Sequence, residues 1–110
     1  LAGSGKIGST LHLITDSGID TGPIIATSPV EADYGTTYLD NVLRLYSTGC
    51  ARMVSAVDEV VAGRQLITIN KTGEGAYFTA PTLDQCMKFR EAGLTLCDGR
   101  ELERYISQVL

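Results

Sequence analysis

One histidine and two aspartates flank a glycine-rich loop near the start of this 110-residue sequence. His12 precedes the loop, Asp16 opens it and Asp20 lies at its far end. A carboxylate close to an imidazole can orient the ring or stabilise its charged form. Gly18 and Gly22 permit positive backbone φ angles and let a ligand come close to the main chain. These residue types favour a site where loop amides and carbonyls pair with the edge of a flat heterocycle.

The same residues also have an ordinary structural interpretation. Asp and Gly are common turn formers, and a single histidine on a strand is more often packed or surface-exposed than catalytic. No competing motif is present. The glycines at positions 3, 5 and 8 precede a strand instead of following one, so they do not form a dinucleotide fingerprint. Ser9, Ser17 and Ser55 lack the context of a nucleophile elbow, and no metal-ligand spacing occurs.

Two apolar runs must position this loop. Residues 9–16 alternate with period two, with Leu11 and Leu13 on one side, and residues 23–30 form a second run. Pro23 has no amide proton and therefore suits the first position of that strand. Residues 1–8 contain three glycines and predict a flexible segment. The sequence thus predicts an antiparallel hairpin with Asp20 exposed on its loop.

The remaining sequence is mainly helical. Apolar residues recur at helical spacing from Thr36 to Gly63, and Gly49 divides them into two helices or one kinked helix. Residues 65–70 alternate like a short strand, and residues 76–79 could form a returning strand. Two capping boxes then predict two C-terminal helices: Thr82 with Gln85, and Asp98 with Glu101. The resulting fold class is α/β, in a single domain covering residues 1–110.

Composition excludes several classes of function. The nine basic residues form no patch and there is no Trp, so we expect no nucleic-acid binding. No apolar run is long enough to span a membrane, and no signal segment opens the sequence, so we expect no membrane association. Cys50, Cys86 and Cys97 are far apart, which predicts reduced, mostly packed thiols in a cytoplasmic protein.

The loop and its flanking strands resemble the signature of the folate-dependent formyltransferases. The matching strings are Thr-Leu-His-Leu-Ile-Thr-Asp from Thr10 and Gly-Ile-Asp-Thr-Gly-Pro-Ile-Ile from Gly18. This family includes glycinamide ribonucleotide formyltransferase, methionyl-tRNA formyltransferase, formyltetrahydrofolate deformylase and the sugar N-formyltransferases. The resemblance implies that residues 1–64 form the C-terminal half of a Rossmann-like catalytic domain. Residues 65–110 are similar to an extension found in some members.

The resemblance also implies roles for the loop residues. Asp20 matches the catalytic aspartate, and His12 matches a histidine that supports it. The residues that match the pterin-binding loop of the folate site are Asp16, Ser17, Gly18, Ile19, Thr21 and Gly22. The implied reaction transfers a formyl group from 10-formyltetrahydrofolate, a co-substrate, to an amine, without a metal. Polar groups stabilise the oxyanion and accept the proton that leaves the nitrogen.

Half of the family's active site has no counterpart in this sequence. The family's catalytic Asn and His form an upstream Asn-x-His motif, whereas His12 is the single histidine here. Asn41 and Asn70 occur in other contexts. We therefore expect no activity from the chain alone, because another polypeptide or missing residues must supply the rest. The alternative is a free-standing, non-catalytic binding or oligomerising module.

An open strand edge predicts association with a partner. Without the family's first half, Leu11, Leu13, Ile24 and Ile25 have no neighbouring strand or helix to cover them. We expect a homodimer, formed by antiparallel pairing of residues 9–16 or by hairpin exchange, or else a complementary N-terminal half. The alternative is a monomer in which residues 65–110 fold back over this surface.

Overall fold

The computed structural model describes residues 5–69 and 79–110, which form a β-hairpin followed by three helices. The strands are β1 (Lys6–His12) and β2 (Ile24–Glu31). The helices are α1 (Tyr38–Val61), α2 (Leu83–Glu91) and α3 (Gly99–Val109). This mixed α/β content, with a hairpin before helices, agrees with the sequence prediction. Most of the predicted strand at residues 76–79 lies outside the described residues.

The hairpin is antiparallel, as predicted, and its register runs from Lys6 opposite Glu31 to Leu11 opposite Ala26. Its first strand is displaced from the predicted residues 9–16. Residues 6–8, which were expected in a flexible segment, belong to β1, and β1 ends at His12. Pairing with β2 accounts for the early start, because the ladder continues as far as its partner strand does. Asp20 is exposed on the loop, as predicted.

A single 24-residue helix, α1, packs against the hairpin. Thr37 caps it by accepting a hydrogen bond from the Asp40 amide at 3.0 Å, so the helix starts slightly later than predicted. Gly63 follows its end with a φ of +73°, which confirms the predicted stop. The two-helix alternative is wrong, because α1 continues through Gly49. A Cβ there would lie 3.2 Å from Ser9 Oγ, so glycine lets β1 approach the helix closely.

Two polar residues are the only buried ones among those described: Ser28 and Asn41, which are 7% and 9% exposed. The Asn41 amide donates to the backbone oxygens of Asp33 at 2.8 Å and Thr37 at 2.9 Å. Its oxygen accepts from the Asp33 amide at 2.9 Å. Asn41 therefore joins the end of β2 to the first turn of α1 with fully partnered polar groups.

Both C-terminal helices begin with the predicted capping boxes. The start of α1 bonds to α3 and to the segment that precedes α3. The carbonyl oxygens of Thr95 and Leu96, in the segment between α2 and α3, each accept a hydrogen bond at 2.9 Å from an amide in the first turn of α1. The Thr37 hydroxyl donates to the Glu101 carboxylate at 2.7 Å. The two backbone bonds satisfy amides of Tyr38 and Leu39 that the helix itself cannot satisfy at its N-terminus.

The predicted strand at residues 65–70 does not form within the described residues. Only Ile69 pairs, in an isolated antiparallel bridge in which its amide donates to the Ile24 carbonyl at 2.6 Å. Residues 65–68 pair with no strand in the described ranges. A local pattern is insufficient here, because a strand gains its hydrogen bonds from a neighbour.

The apolar core is incomplete in the described part of the chain, where no apolar residue is buried. Among the described elements only α1 packs against the hairpin, so one helix covers one sheet face. Cys50 and Cys97 are exposed and Cys86 is partly buried, so the prediction of mostly packed thiols is wrong for two of three. No helix in the described ranges is both long and apolar enough to cross a membrane.

We predict that Asn41→Ala lowers the free energy of unfolding by about 2 kcal/mol, because it removes the buried side chain that accepts from the Asp33 amide and donates to the carbonyl oxygens of Asp33 and Thr37. Urea unfolding followed by circular dichroism measures the change. Ser47→Ala is the matched control, since Ser47 is an exposed polar residue of the same helix. It should change stability by less than about 0.5 kcal/mol. Equal stabilities for the two variants would contradict the role given to Asn41.

Candidate functional site

A β-bulge aims His12 toward the loop. Leu11 pairs with Ala26, but the next residue, His12, pairs with Ile24, so Ile25 is the extra residue on β2. A bulge bends its strand and increases the local twist. The Leu13 amide then donates to the Pro23 carbonyl at 3.0 Å, which closes the base of the loop. The end of β1 is thus fixed where the loop begins.

His12 and Asp20 are in direct contact across the loop. His12 Nε2 lies 3.2 Å from Asp20 Oδ1. The other ring nitrogen, Nδ1, lies 3.3 Å from the Leu13 carbonyl oxygen. A neutral imidazole carries one N–H and can donate to only one of these oxygens, whereas a protonated ring donates to both. The ring is therefore held between two acceptor oxygens, one on each side.

The Asp20 carboxylate is both held and accessible. Its side chain is 83% exposed, whereas that of His12 is 25% exposed. Asp20 has a φ of +55° and is the one non-glycine residue of the described ranges with a positive φ. Aspartate tolerates this conformation better than most residues, although it still costs free energy. The loop thus holds Asp20 in an unfavourable backbone conformation that brings its carboxylate to His12.

A second aspartate organises the start of the loop. Asp16 Oδ1 accepts from the Gly18 amide at 2.8 Å and from the Thr21 hydroxyl at 3.1 Å. A Cβ on Gly18 would overlap the Thr21 hydroxyl and lie 2.9 Å from Asp16 Oδ1. Asp16 is therefore a turn-forming residue here, as the ordinary interpretation of the sequence allowed.

Several backbone groups of the loop are available to a ligand. The amides of Ser17, Ile19, Asp20 and Thr21 have no hydrogen-bond partner in the described part of the chain. The Ile19 side chain is 87% exposed, and that of Ile14, just before the loop, is 86% exposed. The loop therefore offers donors and apolar surface together.

Gly22 must lack a side chain for the loop to close. A Cβ at this position would overlap the Leu13 carbonyl oxygen and would also lie 3.3 Å from His12 Nδ1. Gly22 thereby brings the far side of the loop against the residue after β1. The close approach expected from this glycine is a contact within the chain itself.

The site opens into a cavity of about 380 Å³ whose lining includes His12, Asp20, Thr21 and Gly22. Thr10 and Ile24 complete the lining, and the sequence analysis did not identify them as site residues. Thr10 lies two residues before His12 on the same strand, so alternation along β1 could have identified it. A larger cavity of about 450 Å³ lies between the hairpin and α1 and contains none of the predicted site residues.

No cluster of three or more His, Cys, Asp or Glu side chains capable of holding a metal occurs within residues 5–69 and 79–110. No protein-family model matches the chain, no curated protein is significantly similar to it in sequence, and no solved structure is significantly similar to its fold. The resemblance of the loop to the formyltransferases therefore stays a prediction that rests on the residues themselves.

We predict that Gly22→Ala displaces the loop, because the added methyl group overlaps the Leu13 carbonyl oxygen. In ¹H–¹⁵N NMR spectra the amide signals of His12 and Asp20 should move, and stability should fall by about 1–3 kcal/mol. Gly99→Ala is the control, because a Cβ there has no heavy atom within 4 Å in the described structure. Unchanged loop signals in the Gly22 variant would show that the close contact is wrong.

Proposed function

We propose that this hairpin is the folate-binding and proton-accepting part of a formyltransferase active site. The observation that carries the proposal is the 3.2 Å contact between His12 Nε2 and Asp20 Oδ1 at the mouth of the loop. These are the two residues to which the resemblance assigns the supporting and catalytic roles. In support of the proposal, His12 and Asp20 are in contact and both line the same cavity.

The chemistry of this pair fits formyl transfer from 10-formyltetrahydrofolate to an amine. When the amine attacks the formyl carbon, its nitrogen becomes positively charged and must lose a proton. An exposed carboxylate at Asp20 can accept that proton, directly or through one water molecule. The His12 imidazole, 3.2 Å away, can donate a hydrogen bond to this carboxylate and fix its orientation.

The loop supplies the groups that a folate ring needs. A pterin is a flat heterocycle with donors and acceptors on its edge, so it pairs with main-chain amides and carbonyls. The unpartnered amides of Ile19, Asp20 and Thr21 can donate to it, and the exposed Ile14 and Ile19 side chains can cover its faces. We therefore propose that residues 16–22 bind the co-substrate mainly through the backbone.

The fold around this site is proposed to be one edge of a Rossmann-like sheet. The hairpin has α1 on one face, and both strands of the described sheet are edge strands. The Asn-x-His motif, which would stabilise the oxyanion, would come from a complementary N-terminal half. Because that motif is absent here, the chain alone holds the proton acceptor without the oxyanion partner.

We predict no formyl transfer by the purified chain above the uncatalysed rate. Absorbance of tetrahydrofolate formed from 10-formyltetrahydrofolate measures turnover, with a generic primary amine in excess. Asp20→Asn is the control variant, because it removes the proposed proton acceptor and should give the same background rate. Turnover that disappears in Asp20→Asn would show that the chain is catalytically complete.

We predict weak binding of 5-formyltetrahydrofolate, a stable folate, at the loop. In an NMR titration the amide signals of residues 16–22 should shift. Asp16→Ala removes the acceptor for the Gly18 amide and the Thr21 hydroxyl, and should weaken binding about tenfold. Asp84→Ala, an exposed aspartate of α2, is the matched control. Shifts confined to other residues, or no shifts, would reject folate binding at this loop.

The second candidate is a non-catalytic, oligomerising module built on the same hairpin. Its support is the absence of a buried apolar residue in the described ranges, because this leaves a large apolar surface for a partner. The two candidates differ in the folate titration, since a module that only oligomerises has no reason to bind the ligand at residues 16–22.

A further inference from the structure

The cavity of about 450 Å³ between the hairpin and α1, called the groove below, is separate from the loop. Its volume lies within the range of roughly 300–1,000 Å³ that is usual for small-molecule sites. Most of its wall is apolar, and the apolar side chains are Leu11, Ala26, Val42, Leu45, Tyr46 and Met53. The few polar groups among them decide which kind of molecule the groove can hold.

Two serines lie side by side on the sheet side of the groove. Ser9 is directly opposite Ser28, so their Cβ atoms are about 5 Å apart on one face of the hairpin. Gly49 of α1 faces the same place, because a Cβ on it would lie 3.2 Å from Ser9 Oγ. Both hydroxyls therefore lie on the face that packs against the helix, where apolar side chains are usual.

The Ser28 hydroxyl is a buried polar group without a partner. Ser28 is 7% exposed, and neither its hydroxyl nor that of Ser9 has a hydrogen bond within residues 5–69 and 79–110. No described side-chain N or O atom is both fully enclosed and unpartnered, so the Ser28 hydroxyl opens on the groove that it lines. A ligand with an acceptor oxygen would satisfy it and offset the cost of its burial.

A cation completes the polar part of the groove. Arg52 lies three residues after Gly49, one turn farther along the same helix face, and it also lines the groove. Arg52 is exposed, and its guanidinium has neither a carboxylate nor a hydrogen-bond partner in the described part of the chain. A guanidinium binds a carboxylate through two parallel hydrogen bonds. Charge complementarity therefore favours an anion that has acceptor oxygens.

We propose that the groove binds a medium-chain aliphatic monocarboxylate. Its carboxylate accepts from Arg52 and from the serine hydroxyls, and its hydrocarbon chain contacts the apolar wall. An alcohol of the same length keeps the apolar contacts but loses the charge interaction, whereas acetate keeps the charge but buries little apolar area. This site does not depend on folate binding at residues 16–22, and the two ligands should shift different amide signals.

An NMR titration of the full chain with octanoate tests the proposal. The amide signals of Ser9, Ser28 and Gly49 should shift, and those of residues 16–22 should not. 1-Octanol should bind about tenfold more weakly, because it lacks the charge that pairs with Arg52. Octanoate that shifts no signal of the groove, or that binds no more tightly than 1-octanol, would overturn the proposal.

Arg52→Gln removes the cation and should weaken octanoate binding about tenfold, while leaving the binding of 1-octanol unchanged. Arg90→Gln is the matched control, because Arg90 is an exposed arginine of α2 that does not line the groove. It should bind octanoate as the unmodified chain does. Equal affinities of the two variants for octanoate would show that the proposed ion pair is wrong.

Ser28→Ala separates a binding role from a structural one. It removes a hydroxyl that makes no hydrogen bond in the described ranges, so the melting temperature of the free chain should not fall. Octanoate binding should weaken about fivefold, because one donor to the carboxylate is lost. A lower melting temperature with unchanged octanoate affinity would assign the hydroxyl to folding and contradict its role in binding.

Cys50 gives a readout that needs no substitution. It is an exposed thiol that lines the groove, whereas Cys97 is exposed elsewhere. At twice its dissociation constant, octanoate should slow alkylation of Cys50 by iodoacetamide about threefold and leave that of Cys97 unchanged. Mass spectrometry of the two labelled peptides measures the rates. An unchanged rate at Cys50 would overturn binding in the groove, including in the case where a variant fails to fold.

Discussion

The structure depends on the attachment of the two-stranded hairpin to the single long helix α1, which forms without a buried apolar residue in the described ranges. Asn41 provides the fixation, because its buried amide bonds both to the chain leaving β2 and to the first turn of α1. At the other contact, Gly49 lets Ser9 approach the helix backbone. The Asn41 hydrogen bonds and the close approach of Ser9 to Gly49 therefore set the position of the hairpin relative to α1. They also set the position of the loop that joins its two strands.

Sequence reasoning was most successful where the signal is local. The stop at Gly63 and both C-terminal capping boxes were predicted, because each depends on residues within one turn, and the hairpin was predicted because its two strands are consecutive in sequence. Prediction failed where a residue that is distant in sequence determines the local structure. Gly49 was interpreted as a break because a helical glycine is unfavourable, and only the proximity of Ser9 explains it. Residues 65–68 have a strand pattern but no partner strand within residues 5–69 and 79–110.

The candidate site also has some features with a local sequence signal and others that depend on the folded loop. The spacing of His12 and Asp20 around a hairpin loop was sufficient to predict that they lie together, whereas Asp16 bonds to Gly18 and Thr21 instead. The bulge at Ile25 and the positive φ of Asp20 could not be predicted, because both result from closure of the loop against Leu13. The two aspartates also have different environments. Asp16 accepts hydrogen bonds from loop donors, whereas the Asp20 carboxylate contacts His12 and is otherwise open to solvent.

The candidate site depends on how the end of β1 is held. His12 is the last residue of β1, and Thr10, two residues earlier on the same strand, also lines the cavity. Pairing with β2 and the close approach of Ser9 to Gly49 hold this strand in place. The hydrogen bond from the Leu13 amide to the Pro23 carbonyl then closes the base of the loop. The contact between His12 and Asp20 therefore depends on the packing of β1 as much as on the residues of the loop.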